Sequence, residues 1–304
     1  MEQNNIIFSI IIPHKNIPQL LQRCLDSIPA RDDVQIIVID DNSDLDKVDF
    51  ESFPGLNKKN TEVYFTKEGK GAGYARNIGL QHAKGKWLIF ADADDFFMPC
   101  LNDVMDKYRN DESDVIYFKT ISVDSETLTL SPRRTSIRRN NLLNNIKKTN
   151  NQDLFLIIEV PWGKLVKHDI IIKSNIVFQE VRYSNDVFFS AHLAAVASHQ
   201  SIDERELYCV TNTPNSLTKN LSVESLLIRY GVAIDTFVLL KKFGKEKIVS
   251  EKMFNWLRGI FTRKPALAFS LLPNLIRKIG IFYFVKGTYN SLLYLIIKNK
   301  WEKQ

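Results

Sequence analysis

Apolar residues follow two rhythms along the first third of the chain. Residues 6–12 (IIFSIII), 34–39 (VQIIVI) and 87–90 (WLIF) are short, nearly continuous apolar runs, and Val63 to Phe65 is a briefer one. Runs of this length without polar alternation are the pattern of strands covered on both faces. Between them, Pro18 to Ile28 places Leu20, Leu21, Cys24, Leu25 and Ile28 at helical spacing, and Gly73 to Ala83 reads as a helix with small residues on one face. The order β-α-β-β-α-β predicts an α/β protein, with a mostly parallel sheet and helices on both faces. In open sheets of that kind ligands bind beyond the carboxyl ends of the strands. Pro13-His14, Asp40-Asp41 and Asp92 to Asp94 all fall at such ends.

The rhythm fades in the middle. Ser131 to Lys148 holds Lys or Arg at 133, 134, 138, 139, 147 and 148, Asn at 140, 141, 144 and 145, and no acid. That composition predicts a mobile, solvated basic loop or short helices. Leu154 to Val166 contains the stretch PWGKL. Val181 to Ala197 reads as a loop and then a helix starting after Ser184-Asn185-Asp186. From Ser222 onward the pattern is helical. Two parts follow: an α/β body over 1–220 and a helical region over 221–304.

Charge sharpens that division. The net charge is +6, yet 251–304 alone carries Lys or Arg at ten positions against Glu251 and Glu302. The body is therefore slightly acidic and the tail basic. Such asymmetry predicts an anionic partner for the tail, a membrane surface or nucleic acid. The tail mixes its charges with aromatic and aliphatic residues, as in FNWLRGIFTRK and LLPNLIRKIGIFYFVKG. That is the composition of interfacial helices, or else of helices that pack on the body or form a dimer contact. Cys24, Cys100 and Cys209 are far apart with no CxxC pair, which argues against a disulfide framework or zinc site and fits a reducing compartment. No basic segment precedes the apolar run 6–12, so it reads as a first strand rather than a signal peptide.

Several positions can carry chemistry. Asp92-x-Asp94 puts two carboxylates on one side of an extended chain. They either share a hard divalent cation such as Mg²⁺ or Mn²⁺, or cap the next element as a solvated turn. Asp40-Asp41-Asn42-Ser43 is either a turn or a carboxylate that accepts a base N–H or ribose hydroxyls. GKGAGYARNIG matches neither common phosphate-loop pattern, but it offers a flexible loop entering a helix, with Arg76 near a diphosphate-friendly N-terminus. Asp186 is either a helix cap or a base.

Taken in order, these pieces resemble the family 2 glycosyltransferases of GT-A fold. The matching stretches are SIIIPHKN (9–16), IIVIDDNSD (36–44), GAGYARNIGLQHAKGKWLIFADADD (71–95), Pro99, PWGKLVKHDII (161–171), VRYSNDVFF (181–189) and NSLT (215–218). The resemblance spans roughly residues 6–220. It implies a Rossmann-like GT-A body followed by a helical C-terminal region. It implies a metal-dependent, inverting hexosyl- or N-acetylhexosaminyl-transferase that uses a nucleoside-diphosphate sugar, by family pattern a UDP-sugar. The acceptor is a glycan or lipid-linked hydroxyl in surface-polysaccharide assembly.

Residue by residue, the resemblance implies that Pro13 and His14 line the nucleotide pocket and that Asp41 holds the base. Arg76 stands near the diphosphate. Asp94 binds Mn²⁺ or Mg²⁺, with Asp92 at the ribose or in the metal shell. Asp95 orients Arg76 or the donor sugar. Asp186 is the general base, and Trp162 and Lys164 stand on the acceptor side. Three departures stand out: PHKN replaces PVYN, DDNS replaces DDGS, and Asn185-Asp186 replaces Glu-Asp. None removes a metal-binding carboxylate. In the basic tail, Trp and Phe among basic residues favour an anionic membrane surface over nucleic acid, with the protein peripheral at the cytoplasmic face, and packing on the body or a homo-oligomer stays open. The competing readings are an inactive GT-A-like membrane-associated assembly protein and a nucleotidyltransferase. The latter lacks the Gly/Arg/Lys-rich loop it would need near the first strand.

Overall fold

Every residue of strands β1 (Phe8–His14) and β2 (Val34–Asp40) is buried, which explains their unbroken apolar character. A computed structural model of the chain describes residues 6–132, 134–212 and 221–289. The NSLT stretch and residues 290–304 of the basic tail lie outside them. β1 pairs in parallel with β2 and with β4 (Trp87–Phe90), and β2 pairs in parallel with β3 (Thr61–Phe65). These are the four strands expected from the pattern.

The sheet is wider than expected, and mixed. Its order is β3-β2-β1-β4-β7-β6-β8-β5. β7 (Lys164–Lys167) runs antiparallel to both β4 and β6 (Val115–Asp124). β8 (Gln200–Asn212) is parallel to β6 and antiparallel to the two-residue β5 (Phe96–Phe97). The parallel expectation thus holds for the β3-β2-β1-β4 half, and reversals begin at β7.

Helices cover both faces. On one side α1 (Pro18–Asp26) and α3 (Leu101–Tyr108) contribute Leu21, Cys24, Leu25, Leu101, Val104 and Met105 to one core. On the other, α2 (Ala72–His82) lies so close to the sheet that a Cβ on Gly79 would stand 2.4 Å from Ile11 Cγ2. The basic stretch after residue 131 is not a loop, though its outward residues are solvated. It forms the sixteen-residue helix α4 (Arg134–Thr149). Its buried positions are Ser136, Arg139, Leu143 and Ile146, a helical spacing masked in the sequence because two of the four are polar. The β6–β8 ladder shifts register around Lys119. There the Asn140 side chain accepts the Thr120 N–H (3.1 Å) and donates to the Thr120 carbonyl (2.7 Å), while Arg139 donates to the carbonyls of Phe118 and Gly163. The helix supplies the partners that a bulged strand lacks.

Two short helices follow, α5 (His168–Lys173) and α6 (Asn185–Val196). The C-terminal region is helical as expected: α7 (Val223–Lys241), α8 (Ser250–Phe261), α9 (Pro265–Ile279) and a further helix over 281–289. It is not a detached appendage. Tyr230, Phe237, Met253, Leu257, Ile260 and Leu275 lie in the same apolar cluster as Ile11, Phe90, Phe189 and Leu193 of the body. One core therefore runs across the expected border at 220.

Gly85 gives a direct test of the packing. A Cβ there would meet Ser9 N at 2.6 Å and the Phe8 carbonyl carbon at 2.8 Å, both main-chain atoms that cannot swing aside. Gly85→Ala is expected to destabilise the fold by about 1–3 kcal/mol, read as a lower urea midpoint at unchanged slope.

Candidate active site

The carboxyl ends of β1, β2 and β4 converge, and each contributes polar groups. At the end of β2, Asp40 and Asp41 separate into different tasks. Asp40 is fully enclosed: it takes the His14 Nδ1–H at 2.7 Å, the Ser43 hydroxyl at 2.5 Å and the Ser43 N–H at 2.9 Å. Asn42 between them adopts a left-handed backbone (φ 57°), which asparagine tolerates almost as glycine does, so DDNS keeps the turn of DDGS. Asp41 accepts the Gly71 N–H through Oδ2 at 2.8 Å. Its Oδ1 is buried and has no hydrogen-bond partner among the described residues. Burial pushes the Asp41 carboxyl up, against the pull of the Gly71 N–H and of Lys15, whose Nζ lies 4.0 Å away. Buried carboxylate oxygens are normally satisfied, so Asp41 presents an acceptor awaiting a donor.

His14 is used differently from the expectation. Its Nδ1 donates to Asp40, and its Nε2 accepts the Ile17 N–H at 3.1 Å, which fixes the tautomer. The ring is 2% exposed and stands edge-on to Phe53. With both nitrogens occupied, His14 braces the β1–β2 end and has no polar atom left for a ligand. Pro13 is buried beside it.

The acidic end of β4 carries three carboxylates. Asp92, Asp94 and Asp95 each place an oxygen within 4.8 Å of the others, and Asp95 is buried. The loop is held mainly through its backbone. The Asp94 carbonyl accepts from Arg23 Nη2 (2.7 Å) and from the Thr211 hydroxyl (2.8 Å), and the Asp92 N–H donates to the Tyr208 hydroxyl at 2.8 Å. Asp95 accepts the Thr211 N–H at 2.6 Å. Burial, then Asp94 and Asp92, push the Asp95 carboxyl well above the usual range, with Thr211 and Tyr208 acting against them. Asp95 therefore ties the loop to β8, and the expected role of orienting Arg76 belongs to Asp92.

Arg76, on α2, is 5% exposed. Its Nη2 donates to Asp92 Oδ1 at 2.5 Å and its Nη1 to Asn185 Oδ1 at 2.8 Å, while the guanidinium lies over the Phe178 ring. Asn185 is a participant that the sequence showed only as a departure from a Glu-Asp pair. Next to it, Asp186 sits in the first turn of α6 and does not cap it; the capping position is Ser184, in a left-handed conformation. Burial pushes the Asp186 carboxyl up to about 6, helped by Glu159 and Asp92 and opposed by Arg76.

Trp162 and Lys164 are both buried. Trp162 stacks on Tyr208 at 5.5 Å, and Lys164 Nζ donates to the Ile158 carbonyl at 3.1 Å. Burial and then Arg139 hold the Lys164 ammonium well below its ordinary pKa, with Asp186 opposing. Lys164 thus shapes the field behind Asp186. Arg139, Tyr208 and Arg23 are further contributors that sequence reasoning missed. Tyr208 had no signal, because its partner Asp92 is more than a hundred positions away.

For a divalent cation, the donor set fits. Asp92 and Asp94 offer hard carboxylate oxygens at a strand end. Asp95 is the less available of the three, being buried against Thr211.

Comparison with known proteins agrees with this arrangement. The chain is 28% identical over 233 residues to a cholesterol galactosyltransferase of Borreliella burgdorferi, covering 69% of this chain and 64% of that one. It is 22% identical over 229 residues to the uncharacterized glycosyltransferase EpsJ of Bacillus subtilis, covering 70% and 63%. It thus spans somewhat under two thirds of these curated relatives. Among solved structures, S. aureus TarS 1-349 in complex with UDP-GlcNAc matches with a TM-score of 0.65 at 20% identity, covering 91% of this chain and 80% of that one. The mannosyltransferase PcManGT of Pyrobaculum calidifontis, in complex with GDP-Man and Mn²⁺, matches at 0.55 and 15%, covering 98% and 88%. At these identities the likeness is one of fold, and the fold is the GT-A arrangement. The description "Glycosyl transferase family 2" matches residues 9–174, more than half of the chain, and the chain belongs to that family.

Proposed function

We propose that the chain moves a sugar from a UDP-sugar to a hydroxyl of a glycan or lipid-linked acceptor, with inversion and with the help of Mn²⁺ or Mg²⁺. The observation that carries this reading is the Arg76 bridge. One guanidinium links the acidic strand end at Asp92 to Asn185, the neighbour of a carboxylate whose pKa is raised to about 6. A diphosphate clamp and a base at physiological pH are the two parts that inverting transfer needs. The relative named as a cholesterol galactosyltransferase supports a lipid acceptor. The solved complexes of TarS with UDP-GlcNAc and of PcManGT with GDP-Man and Mn²⁺ support a nucleotide-sugar donor and a metal.

In this mechanism the unpartnered Asp41 oxygen accepts the imide N–H of the uracil, while Gly71 and Lys15 hold the carboxylate in place. Asp94 with Asp92 would hold the divalent cation, whose charge offsets the negative charge gained by the leaving diphosphate. Arg76 adds a second positive group on the Asp92 side. The acceptor oxygen attacks the anomeric carbon from the face opposite the diphosphate. The bond from that carbon to the phosphate oxygen breaks, its electron pair leaves with the diphosphate, and Asp186 takes the hydroxyl proton. The logic is that of inverting glycoside hydrolysis with an alcohol in place of water.

The C-terminal helices also offer an outward face. Phe269, Ile281, Phe282, Val285 and Tyr289 are exposed, as are Lys264, Arg277, Lys278 and Lys286 in the same stretch of chain. Among the described residues no helix is long and apolar enough to cross a membrane. We propose that this face rests on an anionic membrane surface, at the cytoplasmic side where polysaccharide precursors are assembled.

Three outcomes check these readings. Below its pKa Asp186 is protonated and cannot accept, so kcat/KM is expected to fall about tenfold per pH unit below about 6 and to level off above it. Asp186→Asn should remove that limb and lower turnover about 10²–10⁴-fold; near-wild-type rates would exclude Asp186 as the base. Asp94→Ala should abolish the Mn²⁺-dependent gain in UDP affinity seen by calorimetry, and an undiminished gain would count against its place in the metal site. For the membrane face, truncation would open the shared core, so surface changes are the suitable probe. Ile281→Ser with Phe282→Ser should reduce flotation with anionic liposomes several-fold, and equal flotation would sink the idea.

A further inference from the structure

The chain neighbours of Asp186, Ser184 and Val187, line a cavity of about 460 Å³. That is room for one or two sugar units. Its walls come from three places: Glu159 in the loop before β7, Ser184 and Val187 on either side of Asp186, and Arg229 and Trp256 of the C-terminal helices, with Lys252 and Arg138 at its margin. The helices that share the core of the body thus also close a chamber next to the proposed base. Asp186 and Arg229 feel each other electrostatically, as do Asp186 and Glu159.

The charge of this chamber is uneven. Lys252 pairs with Glu159, which accounts for the one carboxylate in the lining. Arg229 forms no ion pair among the described residues. Its Nη1 reaches the Ser184 hydroxyl at 3.3 Å, and its guanidinium lies between the rings of Tyr183 (5.2 Å) and Trp256 (5.5 Å). Its Nε is buried without a partner. A half-buried guanidinium held against two aromatic rings, with Asp186 near it but no ion-pair contact and one donor unused, has lost water without a direct anionic partner. A planar cation so placed is preorganised for a carboxylate or phosphate oxygen. Trp256 beside it supplies a flat apolar surface of the kind on which a sugar ring rests. Arg138 brings a second cation to the rim.

We infer that this chamber is the acceptor subsite and that it takes an anionic acceptor, a sugar or polyol bearing a carboxylate or phosphate, with the anion on Arg229 and the ring against Trp256. The attacking hydroxyl then faces Asp186 from the wall formed by Ser184 and Val187. This rests on the transferase reading above, and it adds the class of substrate.

The test uses the full chain labelled with 5-fluorotryptophan, the Trp256 resonance being assigned with Trp256→Phe. Methyl β-glucuronide, glucose 6-phosphate, methyl β-glucoside and inorganic phosphate are titrated separately, with and without UDP and Mn²⁺. At least one charged sugar is expected to shift the Trp256 signal at concentrations tenfold or more below the neutral glucoside. The two charged sugars distinguish carboxylate from phosphate. Arg229→Gln should reduce that preference to twofold or less. Arg138→Gln, on an exposed side chain, should weaken it in the same direction and serves where Arg229→Gln does not fold. Equal response to charged and neutral sugars would overturn the inference. So would inorganic phosphate acting as strongly as glucose 6-phosphate, since the site would then hold an anion without a sugar. UDP binding is read independently in the same samples: its failure sinks the donor reading, while the anion titration still reports on the chamber.

Discussion

A buried guanidinium joins strand β4 to helix α6. Arg76 reaches the Asp92 carboxylate with one nitrogen and the Asn185 amide oxygen with the other, and its flat face rests on Phe178. Breaking a fully buried pair of this kind costs about 3–5 kcal/mol, because a charge is left uncompensated. The Asp92 side chain is 32% exposed, so water screens part of that here. The larger consequence is geometric. α6 lies far along the chain from α2 and β4, and Arg76 sets the separation of the acidic loop from Asp186. It also keeps a positive charge near Asp186 that moderates the effect of burial. Gly73 permits this placement: a Cβ there would stand 2.2 Å from the Gln179 carbonyl oxygen, in the segment that leads to α6.

What the sequence disclosed follows from how each element is buried. β1, β2 and β4 are enclosed on both faces and had to be apolar throughout, so they were legible. β8 begins QSIDERE, with Glu204 exposed, and β7 is four residues long and holds a buried lysine. β7 is too short to read, and in β8 the charged first half masks the buried run Leu207 to Val210. Helix α4 was hidden because its inward positions include the polar Ser136 and Arg139, and Arg139 serves backbone groups at a bulge instead of filling a core. The site shows the same division. Asp41, Arg76, Asp92, Asp94 and Asp186, the groups of the proposed site, stood out from their motifs. His14 looked like a ligand contact because it follows Pro13 in PHKN, where the aromatic of PVYN is missing and His14 or Lys15 would replace its contacts, yet the neighbouring Asp40 captures its ring. Nothing local to Asp40 could reveal that capture, which depends on the parallel register pairing His14 with Asp40.

The C-terminal helices have two faces with different chemistry. Inward, Tyr230, Phe237, Met253 and Leu257 complete the core under α6. A Cβ on Gly287 would lie 1.9 Å from the Phe254 ring, so the last described helix is also tightly seated. Outward, aromatic and basic residues share the surface. A tail that served only as a tether would not need the inward face. The position of Arg229 and Trp256, in the chamber proposed as an acceptor subsite, is set by the same contacts that stabilise the fold.

The acidic loop raises a final physical question: how three carboxylates within 4.8 Å are held before any cation arrives. The answer lies in what grips the loop. Arg23 and the Thr211 hydroxyl bind the Asp94 carbonyl, and Tyr208 receives the Asp92 N–H. These contacts are to main-chain atoms and do not depend on the charge of the side chains. Burial meanwhile favours the protonated form of Asp95, which lowers the repulsion that Asp92 and Asp94 feel. Arg76 offsets the charge of Asp92. The loop can therefore keep one shape if its net charge changes, as the proposed binding and release of a cation and a diphosphate would require. A loop held by its own carboxylates would rearrange at each such step, and a rigid strand end is the better support for groups that, in the proposed mechanism, meet a leaving group in a fixed position.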